Sequence, residues 1–271
     1  MQKTPHYRIA CTIAGSDSGG GAGIQADLKT FSALGVFGAS VITAVTAQNT
    51  LGVTGIQPVS PEILSKQLSA VFSDLKPDAV KIGMIHNVEA ARNLIIVPTL
   101  PIVLDPVMVA ESGAQLIETE TIEYIKTHLF KHVSLITPNI PEAETLTGMK
   151  ITDRASVIAG AQALIELGAP AVLLKGGHLA GDEKHDCLLI RHQEPVILTH
   201  STVITKNTHG TGCTLSAAIT AYLALGEDLV NAVKKAADYL YHALLAGANV
   251  HIGEGNGAVN HFFNPQPLKI F

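Results

Sequence analysis

The sequence contains only three cysteines among its 271 residues, Cys11, Cys187 and Cys213. Their number is odd and their spacing is wide, which excludes a disulfide framework and the close cysteine pairs of a structural metal site. A protein of the reducing cytoplasm is therefore expected.

Long basic stretches and long apolar stretches are also lacking. The formal net charge is −5 and no segment is rich in lysine and arginine, which argues against a nucleic-acid partner. No run of about 18 apolar residues is present, and residues 1–8 lack the apolar centre of a signal peptide. The sequence therefore predicts neither a membrane partner nor a targeting segment.

What the chain does have is 47% apolar residues beside 15% charged residues, enough for a substantial core. β-rich runs alternate with segments of helical periodicity, which predicts an α/β fold with a mostly parallel sheet and helices on both faces. No long linker or repeat interrupts this alternation, so a single domain spanning 1–271 is expected. The predicted strands are 8–14, 39–47, 79–85, 102–108, 133–137 and 171–175, with an antiparallel pair at 187–190 and 196–199. The predicted helices are 24–31, 63–75, 155–167, 214–225 and 228–245.

Polar and glycine-rich motifs follow many of the predicted strands. In a parallel sheet, ligands bind beyond the carboxyl ends of the strands, so these motifs are expected to share one site. The pattern predicts where the site lies but not its chemistry. The motifs are residues 15–23, 48–50, 81–84, 105, 139–142 and 175–178.

The segment 206–216 is the most informative of all. Gly210, Thr211 and Gly212 form a small turn before an apolar run, which indicates a loop that opens directly into a buried helix. The N–H groups at such a helix start suit a phosphate, and the same field is expected to favour the thiolate of Cys213. This pairing suggests phosphoryl transfer. A plain helix entrance with a packed cysteine, or a cysteine hydrolase that uses His209, remain the alternatives.

The first glycine-rich loop, 15–23, fits neither the dinucleotide-binding pattern nor the P-loop pattern, which disfavours a dehydrogenase and a P-loop enzyme. Asp105, Asn139 and Glu142 offer oxygen ligands of the kind that Mg²⁺ prefers, although Asn139 could simply cap a helix. Lys175 could meet phosphate oxygens or lie in solvent at its strand end.

Together these motifs resemble the hydroxymethylpyrimidine/phosphomethylpyrimidine kinases of thiamine biosynthesis, from about residue 8 to residues 257–261. The resemblance implies a ribokinase-like three-layer α/β/α sandwich with a mostly parallel central sheet, and a homodimer. It also implies two successive ATP-dependent phosphorylations, first of a hydroxymethyl aminopyrimidine and then of its monophosphate. The motifs that carry the resemblance are residues 14–27, 47–50, 81–84, 104–108, 137–142, 175–178 and 207–213.

By position, the resemblance assigns roles to individual residues. Cys213 is the implied catalytic base, and the backbone of Gly210, Thr211 and Gly212 is the implied anion hole. Residues implied near the pyrimidine are Gln48, Asp27, Gly15, Met84 and Val107. Residues implied near the ATP phosphates are Lys175, Asn139 and Thr208. Residues implied to organise Mg²⁺, through water, are Glu142, Asn139 and Asp105.

Two positions depart from the family pattern. Glu111 stands where a lysine is expected, which bears on the second phosphorylation, and Ser18-Gly19 stands where Pro-Ser is common, a change expected to affect only loop stiffness. The chain ends near the kinase's own terminus, so a fused thiamine-phosphate synthase is not expected. The alternatives are a pyridoxine/pyridoxal kinase or a dual-specificity enzyme, a non-catalytic vitamer binder, and a sugar kinase. The carboxamide of Gln48 favours the aminopyrimidine, because it can both donate and accept.

Overall fold

The computed structural model describes residues 5–94, 100–110, 113–177 and 183–271. Two positions named above, Glu111 and His178, lie outside these described residues.

A nine-stranded sheet forms the centre of the molecule, in the order β3-β2-β1-β4-β5-β6-β7-β8-β9. The strands from β2 to β7 in this order are parallel, while β3, β8 and β9 are antiparallel to their neighbours. The prediction of a mostly parallel sheet is confirmed. The strands are β1 (Ile9–Asp17), β2 (Phe37–Asn49), β3 (Gly52–Pro58), β4 (Ala79–Ile82), β5 (Ile102–Leu104), β6 (Leu135–Ile136), β7 (Ala171–Leu174), β8 (Glu183–Ile190) and β9 (Val196–Ser201).

Helices cover both faces of this sheet. Successive strand residues point to opposite faces, so Ala10 and Cys11 of β1 belong to two different hydrophobic clusters. Leu64 and Leu164 pack in the cluster that contains Cys11, and Phe31 packs in the cluster that contains Ala10. This confirms the three-layer architecture. The helices are α1 (Gly23–Ala33), α2 (Pro61–Ala70), α3 (Val88–Asn93), α4 (Thr119–Tyr124), α5 (Ile140–Thr147), α6 (Arg154–Glu166), α7 (Thr211–Ala224) and α8 (Leu229–Gly247).

The apolar run after residue 213 forms most of α7, whose residues 214–221 are all buried. This helix packs against α1 and α8 and against β4 and β5 of the sheet. The expectation of a buried helix that starts at the glycine turn is confirmed. Because α7 is packed against other elements along most of its length, the position of its first turn is fixed as well.

Several element boundaries differ from the expectation. The strand predicted to reach residue 108 stops at Leu104, because the next residue but one is Pro106, which has no N–H for a strand hydrogen bond. The helix predicted over 63–75 ends at Ala70 and continues as a π-helical turn, Val71–Leu75. The short elements β3, α3 and α4 were not predicted. In the described part of the chain, no helix is both long and apolar enough to span a membrane.

The side of the sheet to which the chain adds strands changes at β1. The chain first places β2 on one side of β1 and later places β4 on the other side. Helices that leave two such strands diverge, and the crevice between them is the usual ligand site of an open α/β sheet. The fold therefore directs attention to the carboxyl ends of β1 and β4.

Candidate active site

A cavity of about 460 Å³ lies at this crevice. It is lined by residues from segments that are far apart in sequence, including the glycine loop after β1 and the first turn of α7. All but one of the implied site residues contribute to its wall. Those that do are Gly15, Gln48, Met84, Asp105, Val107, Asn139, Glu142, Lys175, Thr208, Gly210, Thr211, Gly212 and Cys213.

A second cavity, of about 320 Å³, adjoins the first and extends toward β8, β9 and α8. Its distinctive lining combines polar residues of β8 and β9 with apolar residues of α8, such as Asp186, His200 and Leu240. Lys175 and residues of the glycine turn line both cavities, so they lie where the two cavities meet. The shared residues are Asn139, Lys175, Gly177, Thr208, Thr211 and Gly212.

The turn at the start of α7 has a shape that only glycine allows. Gly210 is the N-cap of the helix and has a φ of 80°, and a Cβ atom there would lie 1.8 Å from the carbonyl oxygen of Gly21. The first N–H groups of a helix have no partner within the helix. Those of α7 lie at the junction of the two cavities, where they can bind an anion.

Cys213, in the first turn of α7, has a partly exposed side chain. Burial raises the pKa of its thiol to about 11; the ammonium of Lys81 acts in the opposite direction, and the carboxylates of Asp27 and Asp105 raise the pKa further. The expectation that the helix start favours the thiolate is therefore wrong for the ligand-free protein. Removal of the sulfur from water outweighs the effect of the Lys81 ammonium.

Asp27 is the implied site residue that does not line the cavity. Its side chain is fully buried in α1, where both carboxylate oxygens accept hydrogen bonds from Nζ of Lys81, at 2.9 and 2.8 Å. Thr12 donates a third bond of 2.6 Å. Lys81 does line the cavity, and although burial opposes its charge, the carboxylate of Asp27 raises its pKa. Asp27 thus acts on the site through Lys81 rather than by touching a ligand.

Lys175 forms a second charged pair, with Asp105. Nζ of Lys175 lies 3.0 Å from Oδ1 of Asp105, which also accepts a 3.0 Å hydrogen bond from Thr137. Oδ2 of Asp105 lies 3.4 Å from the hydroxyl of Ser216. Burial opposes the charge on Asp105, but Lys175 outweighs it and lowers the pKa of the carboxyl. Lys175 and Thr137 thus engage Oδ1 of Asp105, while the residue still lines the cavity, and its place near Mg²⁺ stays a prediction.

Asn139 and Glu142 form a reciprocal capping box at the start of α5. Oδ1 of Asn139 accepts from the N–H of Glu142, and Oε2 of Glu142 accepts from the N–H of Asn139, both at 2.8 Å. The helix-cap alternative for Asn139 is confirmed, and its place near Mg²⁺ stays a prediction. Burial raises the pKa of Glu142 to about 7, a cost that a nearby cation would offset.

The residues present fit a water-bound Mg²⁺ better than a directly coordinated one. Within the described residues, no group of three or more histidine, cysteine, aspartate or glutamate side chains could hold a metal by itself. Glu142 and Asp105 are carboxylates that line the cavity, and Mg²⁺ is commonly bound by one or two carboxylates while it keeps several waters.

Three residues, Asp17, His209 and Ser18, form contacts at the site that the sequence did not predict. Oδ1 of Asp17 accepts from the N–H of Gly19, and Oδ2 accepts from the N–H groups of Gly21 and Ala22, at 2.8 to 3.1 Å. Oδ2 also lies 2.9 Å from Nε2 of His209. Burial opposes ionisation, but the bonds from His209 and the loop amides outweigh it and lower the pKa of Asp17.

His209 therefore pairs with Asp17, and this contact joins positions 192 residues apart in sequence. The pairing gives the cysteine-hydrolase alternative no support. Ser18, at a position expected to affect only loop stiffness, donates to the carbonyl of Gln48 at 2.6 Å and accepts from its N–H at 2.8 Å. A proline at this position could not form either bond. The available signal was the motif Gly-Ser-Asp at the end of β1, but no local pattern specifies these partners.

The chain is similar to known kinases over most of its length. A family model described as phosphomethylpyrimidine kinase matches residues 17–260. A hydroxymethylpyrimidine/phosphomethylpyrimidine kinase of Rhizobium meliloti is 51% identical over 258 residues, which cover 94% of this chain and 97% of the relative.

Solved structures agree with this result. A phosphomethylpyrimidine kinase of Clostridium difficile matches with a TM-score of 0.76 at 44% identity, over 88% of this chain and 99% of that one. A pyridoxal kinase of Staphylococcus aureus in complex with pyridoxal matches with a TM-score of 0.85 at 31% identity, over 95% and 94% of the two chains. The sequence is thus more similar to the first of these kinases, whereas the backbone is similar to both.

Proposed function

The chain belongs to the phosphomethylpyrimidine kinase family, and on that basis we propose that it transfers the γ-phosphate of ATP to two successive acceptors of thiamine biosynthesis. The first acceptor is the hydroxymethyl group of 4-amino-5-hydroxymethyl-2-methylpyrimidine, and the second is the phosphate of the product. The enzyme is a hydroxymethylpyrimidine/phosphomethylpyrimidine kinase.

One observation carries the proposal: two cavities meet at the glycine turn of α7. Gln48, Met84 and Val107 line the first cavity, which suits a flat polar heterocycle. The second cavity, between β8, β9 and α8, takes the nucleotide. A terminal phosphate bound at the turn then lies between the two substrates, beside Cys213.

The chemistry follows from this arrangement. The acceptor hydroxyl attacks the γ-phosphorus, its proton passes to the sulfur of Cys213, and the bond from phosphorus to the β-bridging oxygen breaks to release ADP. Because the pKa of the thiol is about 11, Cys213 acts from its minor thiolate form, and Lys81 favours that form. The proton transfer is late and concerted, since an alcohol is a far weaker acid than a thiol.

The remaining polar groups stabilise charge. Lys175 and the first N–H groups of α7 bind oxygens of the transferred phosphate, with Thr208 and Asn139 beside them. Glu142 would hold Mg²⁺ through water, and the ion would neutralise charge on the phosphates. Asp105 orients Lys175 by the 3.0 Å ion pair.

The similarity to a pyridoxal kinase makes pyridoxine the alternative acceptor to test, because pyridoxine is also a flat heterocycle that bears a hydroxymethyl group. The decisive experiment is an ADP-release assay with the aminopyrimidine alcohol, its monophosphate and pyridoxine in parallel. We expect the highest kcat/KM with the aminopyrimidine alcohol and measurable turnover of its monophosphate. Turnover of pyridoxine alone would contradict the proposal.

The proposal also includes a cytoplasmic homodimer, as the resemblance implies. Light scattering coupled to size-exclusion chromatography should give a mass near twice that of the 28.4 kDa chain. A monomer at micromolar concentration would refute this part and leave the proposed reaction unaffected.

A further inference from the structure

The carboxamide of Gln48 lies between two polar side chains that limit how it can be oriented. In the structure, Oε1 of Gln48 is 3.1 Å from Oγ1 of Thr46, and Nε2 of Gln48 is 3.4 Å from Nε2 of His209. A half-turn about the last side-chain bond exchanges the amide oxygen and nitrogen with little change of shape. The hydrogen bonds of the two neighbours therefore decide which atom occupies which end.

Nε2 of His209 cannot accept a hydrogen bond from Gln48. The ionised carboxylate of Asp17 can only accept, and its Oδ2 atom lies 2.9 Å from Nε2 of His209. The proton of the imidazole must therefore be on Nε2, and a protonated ring nitrogen has no lone pair with which to accept. The end of the carboxamide beside His209 is stabilised when it is the oxygen and not the NH₂ group.

Thr46 presents an acceptor. Its single hydroxyl proton is donated to the carbonyl oxygen of Ser16, at 2.9 Å. The lone pairs of the hydroxyl remain available, so the end of the carboxamide beside Thr46 is stabilised when it is the NH₂ group. Both neighbours of Gln48 thus select the same orientation.

The main chain of Gln48 is held independently of its side chain. The hydroxyl of Ser18 bonds to both the N–H and the carbonyl of Gln48, at 2.8 and 2.6 Å. Asp17, the residue before Ser18, also fixes the glycine loop through the N–H groups of Gly19 and Ala22. One short segment after β1 consequently positions both the backbone and the carboxamide of Gln48.

We propose that Asp17 and His209 determine substrate specificity by fixing the carboxamide of Gln48 with its oxygen on the His209 side and its NH₂ group on the Thr46 side. A ligand edge that has an amine next to a ring nitrogen fits this order, with the amine directed to the His209 side. Pyridoxine has no amine beside its ring nitrogen, so the fixed order does not favour it. The inference rests on the proposed function for the identity of the substrate, whereas the orientation itself does not depend on it.

Two substitutions of His209 of nearly equal length separate hydrogen bonding from packing. H209Q keeps an N–H donor near the position of Nε2, and H209M removes it. We expect H209M to raise the Kd and the KM for the aminopyrimidine alcohol by about tenfold or more, with kcat changed by less than about threefold. H209Q should stay within about threefold of the unaltered enzyme in all three constants. T46V, which removes the acceptor on the other side, should resemble H209M.

The selectivity of the enzyme is the second readout. The ratio of kcat/KM for the aminopyrimidine to that for pyridoxine should fall in H209M and be retained in H209Q. The control is H132L. His132 is exposed and precedes β6, so it lies at the amino ends of the parallel strands, whereas the site lies at their carboxyl ends. Equal losses in H209M and H209Q, a loss confined to kcat, or an unchanged ratio would overturn the inference.

A measurement without substrate keeps this test separate from the proposed function. In ¹⁵N-labelled protein, the imidazole of His209 should have its proton on Nε2, and the D17N substitution should weaken that preference. A neutral ring with its proton only on Nδ1 would overturn the assigned orientation of Gln48. Failure of the unaltered protein to bind the aminopyrimidine would instead refute the proposed function, and the imidazole spectrum would still decide the orientation.

Discussion

Nζ of Lys81 lies 2.8 Å from Oδ2 of Asp27, and neither side chain is exposed to solvent. The pair joins β4 to α1 directly beneath the cavity, and Lys81 forms part of the cavity wall. The two buried charges are tolerated because they are opposite in sign and hydrogen-bonded to each other, and because Thr12 donates a further hydrogen bond to Asp27.

The first prediction concerns this pair. D27N should lower the free energy of unfolding by about 3–5 kcal/mol, because it leaves the ammonium of Lys81 buried without a counter-charge. Urea denaturation measures the effect. The exposed pair of Glu62 and Lys66 is the matched control, and E62Q should cost less than about 1 kcal/mol. The joint variant D27L/K81M should recover much of the loss. Equal effects of D27N and E62Q would contradict the role given to the buried pair.

The second prediction concerns the glycine turn. G210A should destabilise the protein by about 3 kcal/mol or more and abolish phosphate transfer, since its Cβ would lie 1.8 Å from the carbonyl oxygen of Gly21. Gly226 has a similar backbone, with a φ of 92°, but open space around it. G226A should therefore cost only about 1–2 kcal/mol and retain activity. Thermal unfolding and ADP release of both variants test this contrast.

The third prediction concerns the proposed base. C213S should lower kcat by about 10²-fold or more, because a hydroxyl is a poorer proton acceptor than a thiolate at neutral pH. Calorimetric titration should give Kd values for ATP and the aminopyrimidine within about threefold of the unaltered enzyme. C187A is the control, because Cys187 is buried in β8 and does not line either cavity. Near-normal turnover by C213S would reject the assignment.

The fourth prediction follows from the pKa of Cys213. A pKa raised from the ordinary 9.0 to about 11 means less thiolate at every pH below 11, and the thiolate fraction grows about tenfold per pH unit over that range. Alkylation of Cys213 by iodoacetamide should therefore keep accelerating up to at least pH 10, whereas an ordinary thiol levels off near pH 9. Loss of the nearby ammonium in K81M should slow it further.

Mass spectrometry of the peptide that contains Cys213 gives the alkylation rate. Cys11 and Cys187 are fully buried and should remain unmodified in the folded protein, which provides an internal control. A plateau below pH 8 would mean that the thiolate is favoured in the free enzyme, as the sequence alone had suggested.

Much of the fold followed from local patterns. β1, β4 and β7 are short apolar runs, and α6 begins at the N-cap Asp153 as its sequence indicates. These features depend on periodicity and capping, which operate over a few residues. The short strand β3 was missed, because it is stabilised by pairing with β2 and none of its own residues is buried.

The membership of the site was also accessible from sequence, whereas its internal contacts were not. Parallel strands end at one edge, so motifs that follow strands were bound to meet there. The hydrogen-bond and ion-pair partner of each polar group could not be predicted from sequence. Asp27 is paired with Lys81, 54 residues away, and Asp105 is paired with Lys175, 70 residues away. Neither pairing was predicted from the sequence.

The sequence by itself determined the layered α/β architecture, the edge of the sheet where ligands bind and the glycine turn before α7, since each follows from the order and spacing of neighbouring residues. Only the tertiary structure decided that burial raises the pKa of Cys213, that Asp17 contacts His209 and that Ser18 bonds to the main chain of Gln48. The ionisation of a group depends on its burial and on nearby charges, and hydrogen bonds depend on atoms within about 3 Å. Folding brings those atoms together from distant parts of the chain.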